Sequence, residues 1–289
     1  MTIPTVDMNE YDTYNDRFVH DLGNAFKDIG FVAIKNHGIR QETIHGLYKN
    51  VKTFFDLPTE NKKEYEVISM AGQRGYTSQG RERAHGSNCA DLKEFFQYGK
   101  DGNIVPTEVD GFEATLDQAF KEFEATGMKL LQSIALYLGL PQHHFCDMAI
   151  KGDSIIRCIH YPPIDQTCDP VAVRATAHED INMITLLVGA SSDGLQVQLR
   201  DGSWISVDHQ NDTIVVNIGD MMQSLTDGVM KSTTHRVVNP VSELRGTSRY
   251  SIPFFLHPRG DVCISKETGK SAREFLEQRL REIGLLRIN

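Results

Sequence analysis

A mainly β core of the α+β class is the fold this sequence predicts: a double-stranded β-helix (jelly roll) with N-terminal helices packed on the barrel and a C-terminal helix. Three observations predict it. Up to about residue 150 the apolar residues recur mostly at helical spacing. After Gly152 the texture changes to short strands parted by turn residues. Beyond residue 260 one more amphipathic helical stretch follows. So many strands at such close spacing suggest a double-sheet jelly roll.

The elements follow in order. Ile3 and Val6 mark a short strand-like start. From Tyr14 to Ile29, Phe18, Leu22, Ala25, Phe26 and Ile29 fall on one helical face, and Gly30 ends that helix. Phe31 to Lys35 reads as a strand, with Asn36-His37-Gly38 as a turn in which His37 is structural. A helix runs from Gln41 to Phe55, and Pro58 opens another through the solvated charge run 60–66. Residues 70–90 are Gly-rich, polar and aperiodic, and read as a long functional loop. Phe112 to Leu138 is a long amphipathic helix that Gly139-Leu140-Pro141 stops. Strands are then expected at Ser154 to Tyr161, Met183 to Val188, Thr213 to Ile218, Thr233 to Val238 and Tyr250 to Leu256. Asp201-Gly202 between two β runs signals a hairpin at 195–207. Ala272 to Ile283 closes the chain as a helix. We read one catalytic domain over 1–289, with a mostly helical portion at 1–150, the jelly-roll core at 151–260 and the C-terminal helix at 261–289.

Composition bounds the function. The chain has 289 residues, 40% apolar and 24% charged, which is ordinary for a globular protein and enough for a substantial core. A formal charge of −9 argues against nucleic acid as a main partner, because phosphate binding wants a basic face. The five cysteines (89, 146, 158, 168 and 263) are widely spaced and form no Cys-x-x-Cys, so reduced thiols in a cytoplasmic protein are expected. The start resembles no signal peptide, and no apolar run reaches the roughly 20 residues that span a bilayer. A monomer and no membrane partner are expected.

The chemistry gathers between His178 and Ser251. His178 and Asp180 are two residues apart, so in extended chain their side chains leave on the same side. His235, 55 positions after Asp180, suits a ligand delivered by another strand. Two neutral imidazoles and one carboxylate on one face suit Fe(II), leaving open positions for substrate and O₂. Arg249 and Ser251 repeat the two-residue spacing and would offer a guanidinium fork and a hydroxyl to one carboxylate. Alone, His-x-Asp also describes a surface histidine beside a solvated acid. The ordered set His-x-Asp, His-Arg-Val and Arg-x-Ser is far more specific. Glu179 should point away from the metal, and Arg236, Asn217 and Asp220 read as structural or turn residues.

Over nearly its whole length the chain resembles the Fe(II)/2-oxoglutarate oxygenases of the isopenicillin N synthase-like family. The resemblance is carried by Gly30 to Ile39, Gly75-Tyr76, Asp91 to Glu94, His160-Tyr161-Pro162-Pro163, Asn217-Ile218-Gly219-Asp220 and Leu225 to Gly228, besides the three motifs above. It implies that His178, Asp180 and His235 are catalytic iron ligands. Arg249 and Ser251 would hold the distal carboxylate of 2-oxoglutarate, and Tyr161 would lie near cosubstrate or substrate. The 70–90 loop would line the mouth of the site, making Arg74, Tyr76, Arg81 and Arg83, with Arg157, substrate contacts. Such contacts suit a small molecule carrying a carboxylate. Fe(II), 2-oxoglutarate and O₂ would be used to oxidise an unactivated C–H, with release of succinate and CO₂. An iron oxidase of the family that does without 2-oxoglutarate, and a non-catalytic metal- or 2-oxoglutarate-binding barrel, remain alternatives. The segment 241–247 lengthens the distance from His235 to Arg249 and reads as an extended hairpin loop.

Overall fold

The computed structural model describes residues 2–13, 15–83, 90–164, 172–189, 194–207 and 212–286, so Cys89 and Cys168 lie outside the described residues. The chain begins β1 (Thr5–Asp7), α1 (Glu10–Thr13), α2 (Asn15–Asp28), β2 (Phe31–Lys35), α3 (Gln41–Phe55) and α4 (Thr59–Glu64). It continues β3 (Gly75–Thr77), β4 (Glu94–Gly99), α5 (Phe112–Tyr137), α6 (His144–Ala149), β5 (Ile155–Tyr161) and β6 (Ala175–His178). Next come β7 (Ile184–Val188), β8 (Leu195–Gln198), β9 (Trp204–Ser206), β10 (Thr213–Ile218) and α7 (Asp220–Leu225). The last elements are β11 (His235–Val237), β12 (Arg249–Leu256) and α8 (Ala272–Glu282).

Two sheets form. Eight strands lie in the order β1-β2-β10-β7-β12-β5-β4-β3, and four in the order β6-β11-β8-β9. The long helix α5 covers the outer face of the large sheet. There Phe254 stacks on Phe123 at 5.4 Å and meets Phe120 edge-on at 5.2 Å. Gly127 of α5 permits this approach, since a Cβ there would stand 2.4 Å from Leu256 Cδ1. Even-numbered residues of β12 (Ile252, Phe254, Leu256) thus face the helices and are fully buried, while Arg249, Ser251, Pro253 and Phe255 face a cavity between the sheets.

The structure departs from the sequence reading in several places. Residues 70–90 are not wholly loop: β3 pairs antiparallel with β4, so the first hundred residues supply four strands of the large sheet. Every residue of β4 is buried, so its sequence lacks the alternation that marks a half-exposed strand. The 241–247 segment does not close a hairpin either. It crosses from β11 in the small sheet to β12 in the large one, through a 3₁₀ turn at Ser242–Leu244. The short elements α1, β6 and α7 were not expected either, and Asp220, read as a turn residue, opens α7; the other elements match, including the β8–β9 hairpin across Asp201-Gly202. Among the described residues no helix is long and apolar enough to cross a membrane.

Candidate active site

The cavity has a volume of about 260 Å³ and takes its wall from both sheets. Strands β6 and β11 pair antiparallel with His178 opposite His235, which brings the two imidazoles together, ring centroids 4.4 Å apart. Asp180, two residues past the end of β6, turns into the same space. Its Oδ1 lies 4.0 Å from His178 Nε2 and 3.7 Å from His235 Nε2. The ligand atoms of the three residues all fall within 4.8 Å of one another.

The remaining polar atoms of the triad are already engaged. His178 Nδ1 donates to the Thr176 carbonyl at 2.7 Å, and His235 Nδ1 donates to the Thr233 carbonyl at 3.1 Å. A carbonyl only accepts, so both rings keep their proton on Nδ1 and turn the Nε2 lone pair inward. Asp180 Oδ2 accepts from Thr185 Oγ1 at 2.6 Å and Asn217 Nδ2 at 2.7 Å, leaving Oδ1 toward the histidines. Burial, then the neighbouring His235 ring, pushes the His178 imidazole down to about 4, and a neutral imidazole is the form that binds a metal. Burial alone would raise the Asp180 carboxyl. The two imidazoles and the bonds from Asn217 and Thr185 outweigh it and hold the group below its ordinary value. Two neutral nitrogens and one carboxylate oxygen on one face are a donor set fitted to Fe(II).

One end of the cavity is positive. Arg249 is 1% exposed, shares its strand face with Ser251, and lies 5.1 Å over the Tyr161 ring. Arg174, behind the wall, is equally buried and donates from Nη2 to the Thr247 carbonyl at 2.8 Å. Burial, then Arg249, lowers its affinity for its proton. Two guanidiniums packed out of water favour a carboxylate between or beside them.

Another wall holds a closed set of charges. Lys93 Nζ lies 2.7 Å from Glu82 Oε1 and 2.8 Å from Asp91 Oδ2, and Arg157 Nη1 lies 3.0 Å from Glu82 Oε2. Arg157 Nε donates to Gln97 Oε1 at 2.8 Å, with its guanidinium carbon 4.3 Å over the Phe95 ring. Asp91 Oδ1 accepts from both the amide and the hydroxyl of Thr176, tying this set to the strand that carries His178. Burial would raise the Glu82 carboxyl, but Arg157 and Lys93 bring it down to about 2.

The expected substrate contacts divide. Arg83 and Arg157 line the cavity, whereas Arg74, Tyr76 and Arg81 do not. Arg74 donates to the Asp101 carbonyl, and Arg81 reaches Glu66 at 3.5 Å. Tyr76 is 3% exposed, packs edge-on to Phe54 and donates its hydroxyl to Glu94. These three side chains are engaged outside the cavity, each by a different partner. Asn217, read from sequence as a turn residue, is corrected to a partner of Asp180. Thr185, Glu82, Arg174 and His257 were not singled out as site residues; Lys93 and Asn217 lie within the quoted motifs 91–94 and 217–220, which was the one usable signal for them. Glu179 does turn away, meeting Thr234, and Arg236 lies 3.9 Å over the Trp204 ring, a structural contact. Helix α8 adds Leu276, Arg279 and Leu280 to the cavity wall, with Arg279 Nη2 bonded to Asp220 Oδ2 at 2.8 Å.

Comparison with known proteins agrees with this geometry. Residues 3–116 match the family described as the N-terminal region of non-haem dioxygenases in morphine synthesis, and residues 152–258 match the 2OG-Fe(II) oxygenase superfamily. A proline hydroxylase from Petromyces alliaceus is 32% identical over 275 residues, covering 89% of this chain and 86% of the relative. A 2-oxoglutarate-dependent dioxygenase from Penicillium crustosum is 28% identical, covering 90% and 85%. Among solved structures, a 2OG-Fe(II) oxygenase family protein from Caulobacter crescentus is 38% identical, with a TM-score of 0.86 over 97% of this chain and 99% of that one. A full-length Neurospora crassa protein, solved in complex with alpha-KG and thymine, is 27% identical, with a TM-score of 0.86 over 96% of each chain.

Proposed function

The chain belongs to the 2OG-Fe(II) oxygenase superfamily, and on that premise we propose that His178, Asp180 and His235 are its iron ligands and that Arg249 and Ser251 anchor the distal carboxylate of 2-oxoglutarate. It is an Fe(II)- and 2-oxoglutarate-dependent dioxygenase acting on a small molecule. Bound Fe(II), with 2-oxoglutarate and O₂, supplies the oxidation of an unactivated C–H as 2-oxoglutarate becomes succinate and CO₂. The protein's own part is positioning. Thr176 and Thr233 fix the histidine tautomers, Asn217 and Thr185 aim Asp180, and Arg249 with Arg174 makes the deep end of the cavity attractive to an anion. Tyr161, under the Arg249 guanidinium, holds it in place. Apolar walls from Ile155, Ile159, Leu187 and Phe255 limit water around the reacting bond.

The observation that carries this reading is the convergence of two Nε2 atoms and one Oδ1 in the cavity that also contains Arg249 and Ser251. A carboxylate on the substrate would meet Arg83, since Arg157 is already neutralised by Glu82. Large exposed apolar side chains such as Ile68, Ile150 and Val241 stand apart in the sequence, which supports a monomer, and free thiols at Cys146, Cys158 and Cys263 support a reducing, cytoplasmic setting. Strands from both halves of the chain in one sheet support a single catalytic domain.

Anaerobic titration of the purified protein with Fe(II) and then 2-oxoglutarate tests the reading. A visible charge-transfer band should appear, be absent in His178→Ala and be weakened in Arg249→Ala. Iron bound without any band would overturn it.

A further inference from the structure

One buried polar side chain in the cavity has no task in the scheme above. The inward row of β12 runs Arg249, Ser251, Pro253, Phe255 and continues one step beyond the strand to His257. His257 is 5% exposed and lines the cavity. Its backbone amide donates to Ser154 Oγ at 3.1 Å, yet among the described residues no group bonds either ring nitrogen. Neither ring nitrogen is among the fully buried unpaired atoms of the described residues, so both open onto the cavity, where a bound molecule can reach them. Burial keeps it neutral, with its affinity for a proton pushed down to about 4. Arg157 stands near it, its guanidinium carbon 5.3 Å over the Phe255 ring. Its Nε and Nη1 are taken by Gln97 and Glu82, and Nη2 has no protein partner among the described residues. Around His257 the cations Lys93 and Arg157 are matched by Glu82 and Asp91, and the Asp180 carboxylate lies near as well; Arg83 also lines the cavity but has no contact with His257. This wall therefore offers directed hydrogen bonds beside an aromatic ring, with no surplus of positive charge.

We propose that His257 is a substrate-orienting residue which, with Arg157 Nη2, selects an uncharged polar small molecule, one presenting a carbonyl or amide to this wall, over an anion. The inference rests on the iron and 2-oxoglutarate reading and deepens it. The iron would sit at His178, Asp180 and His235 and the cosubstrate at Arg249 and Ser251, while Phe255, Arg157 and His257 supply further wall of the same cavity for the molecule being oxidised. An amide can accept from Arg157 and also donate to or accept from the imidazole. A carboxylate can only accept, and it would enter a wall whose cations are already neutralised.

The test uses protein loaded anaerobically with Fe(II) and 2-oxoglutarate, as wild type, His257→Gln and His257→Leu. The charge-transfer band reports that each variant is folded and loaded. Binding of three probes of similar size (benzamide, benzoate and toluene) is followed by relaxation of their protons beside the paramagnetic iron. Wild type should bind benzamide about tenfold more tightly than benzoate or toluene, the value of one well-made buried hydrogen bond. His257→Gln, which keeps a donor and an acceptor, should preserve most of that preference. His257→Leu should bring benzamide level with toluene while toluene is unaffected. Benzoate binding most tightly, an amide preference that survives His257→Leu, or no probe binding to protein that shows the band would each overturn the proposal alone. Absence of the band in wild type would overturn the iron and 2-oxoglutarate reading, and this proposal with it.

Discussion

Lys93→Met should cost about 3 kcal/mol of folding stability, at the lower end for breaking a buried charge cluster. The estimate follows from what the lysine leaves behind. Its ammonium, 7% exposed, sits 2.7 Å from Glu82 and 2.8 Å from Asp91, whose side chains are 8% and 2% exposed. Methionine preserves the volume and removes the charge. Glu82 still has Arg157 at 3.0 Å and Asp91 still has Thr176, which keeps the loss from reaching the upper end. In a chain of this length about 3 kcal/mol is roughly 6 °C in melting temperature. Chemical denaturation should show the loss as a lower midpoint with an unchanged slope. Glu82→Gln should also destabilise, but the double variant should lose about 1–2 kcal/mol less than the sum, because the partners share one interaction. Because Asp91 also holds Thr176, Lys93→Met should bind iron more weakly than wild type. A Lys93→Met protein within about 0.5 kcal/mol of wild type, or a double variant that is strictly additive, would refute the reasoning.

Other perturbations probe other links. Asn217→Ala and Thr185→Val each remove one bond to Asp180 Oδ2, and each should weaken iron retention about 10- to 100-fold with little loss of fold; iron competition with a chelator measures it. Arg249→Lys keeps the charge but loses the fork, so 2-oxoglutarate should bind at least tenfold more weakly while iron affinity without cosubstrate is unaffected. His257 contributes a pH dependence whose sign is fixed. Its folded-state value of about 4 lies below the ordinary 6.5, so the unfolded chain takes up the proton first as pH falls. Its stabilising share is complete above pH 6.5 and is lost by about pH 4, on the order of 3 kcal/mol. Wild type should therefore lose stability relative to His257→Gln as pH falls through that window, and parallel curves would contradict it.

The parts of the site that were legible in the sequence are those where local geometry is the message. His178 and Asp180, and Arg249 and Ser251, sit two apart because an extended chain repeats its direction every second residue, and Phe254 and Phe255 part to opposite faces for the same reason. Helical spacing likewise located α2, α3, α5 and α8 to within a residue or two. What stayed hidden was set by contacts between distant segments. Nothing near Lys93 announces Glu82 and Asp91 as its buried partners, and nothing near Asn217 announces Asp180. Arg74, Tyr76 and Arg81 share a segment with Arg83, yet the pairing of β3 with β4 carries the first two away from the cavity and Arg81 pairs with Glu66 instead. Strand β4 escaped because burial of every residue erases the alternation by which strands are recognised.

The alternation of β12 also constrains how such a chain can diverge. On the proposed reading Arg249 and Ser251 would serve the cosubstrate, and Phe255 and His257, farther along the same face, would meet the substrate. Point changes at the far end can therefore retune selectivity and leave the shared chemistry untouched. Length changes are another matter. A single residue inserted between Ser251 and Phe255 would turn Phe255 and His257 toward α5 and bring Phe254 and Leu256 into the cavity. Before Arg249 the chain is crossing between sheets, and an added residue there shifts no register. The segment 241–247 lies in that tolerant stretch, so the place where this chain could change length is separate from the place where it could change its substrate.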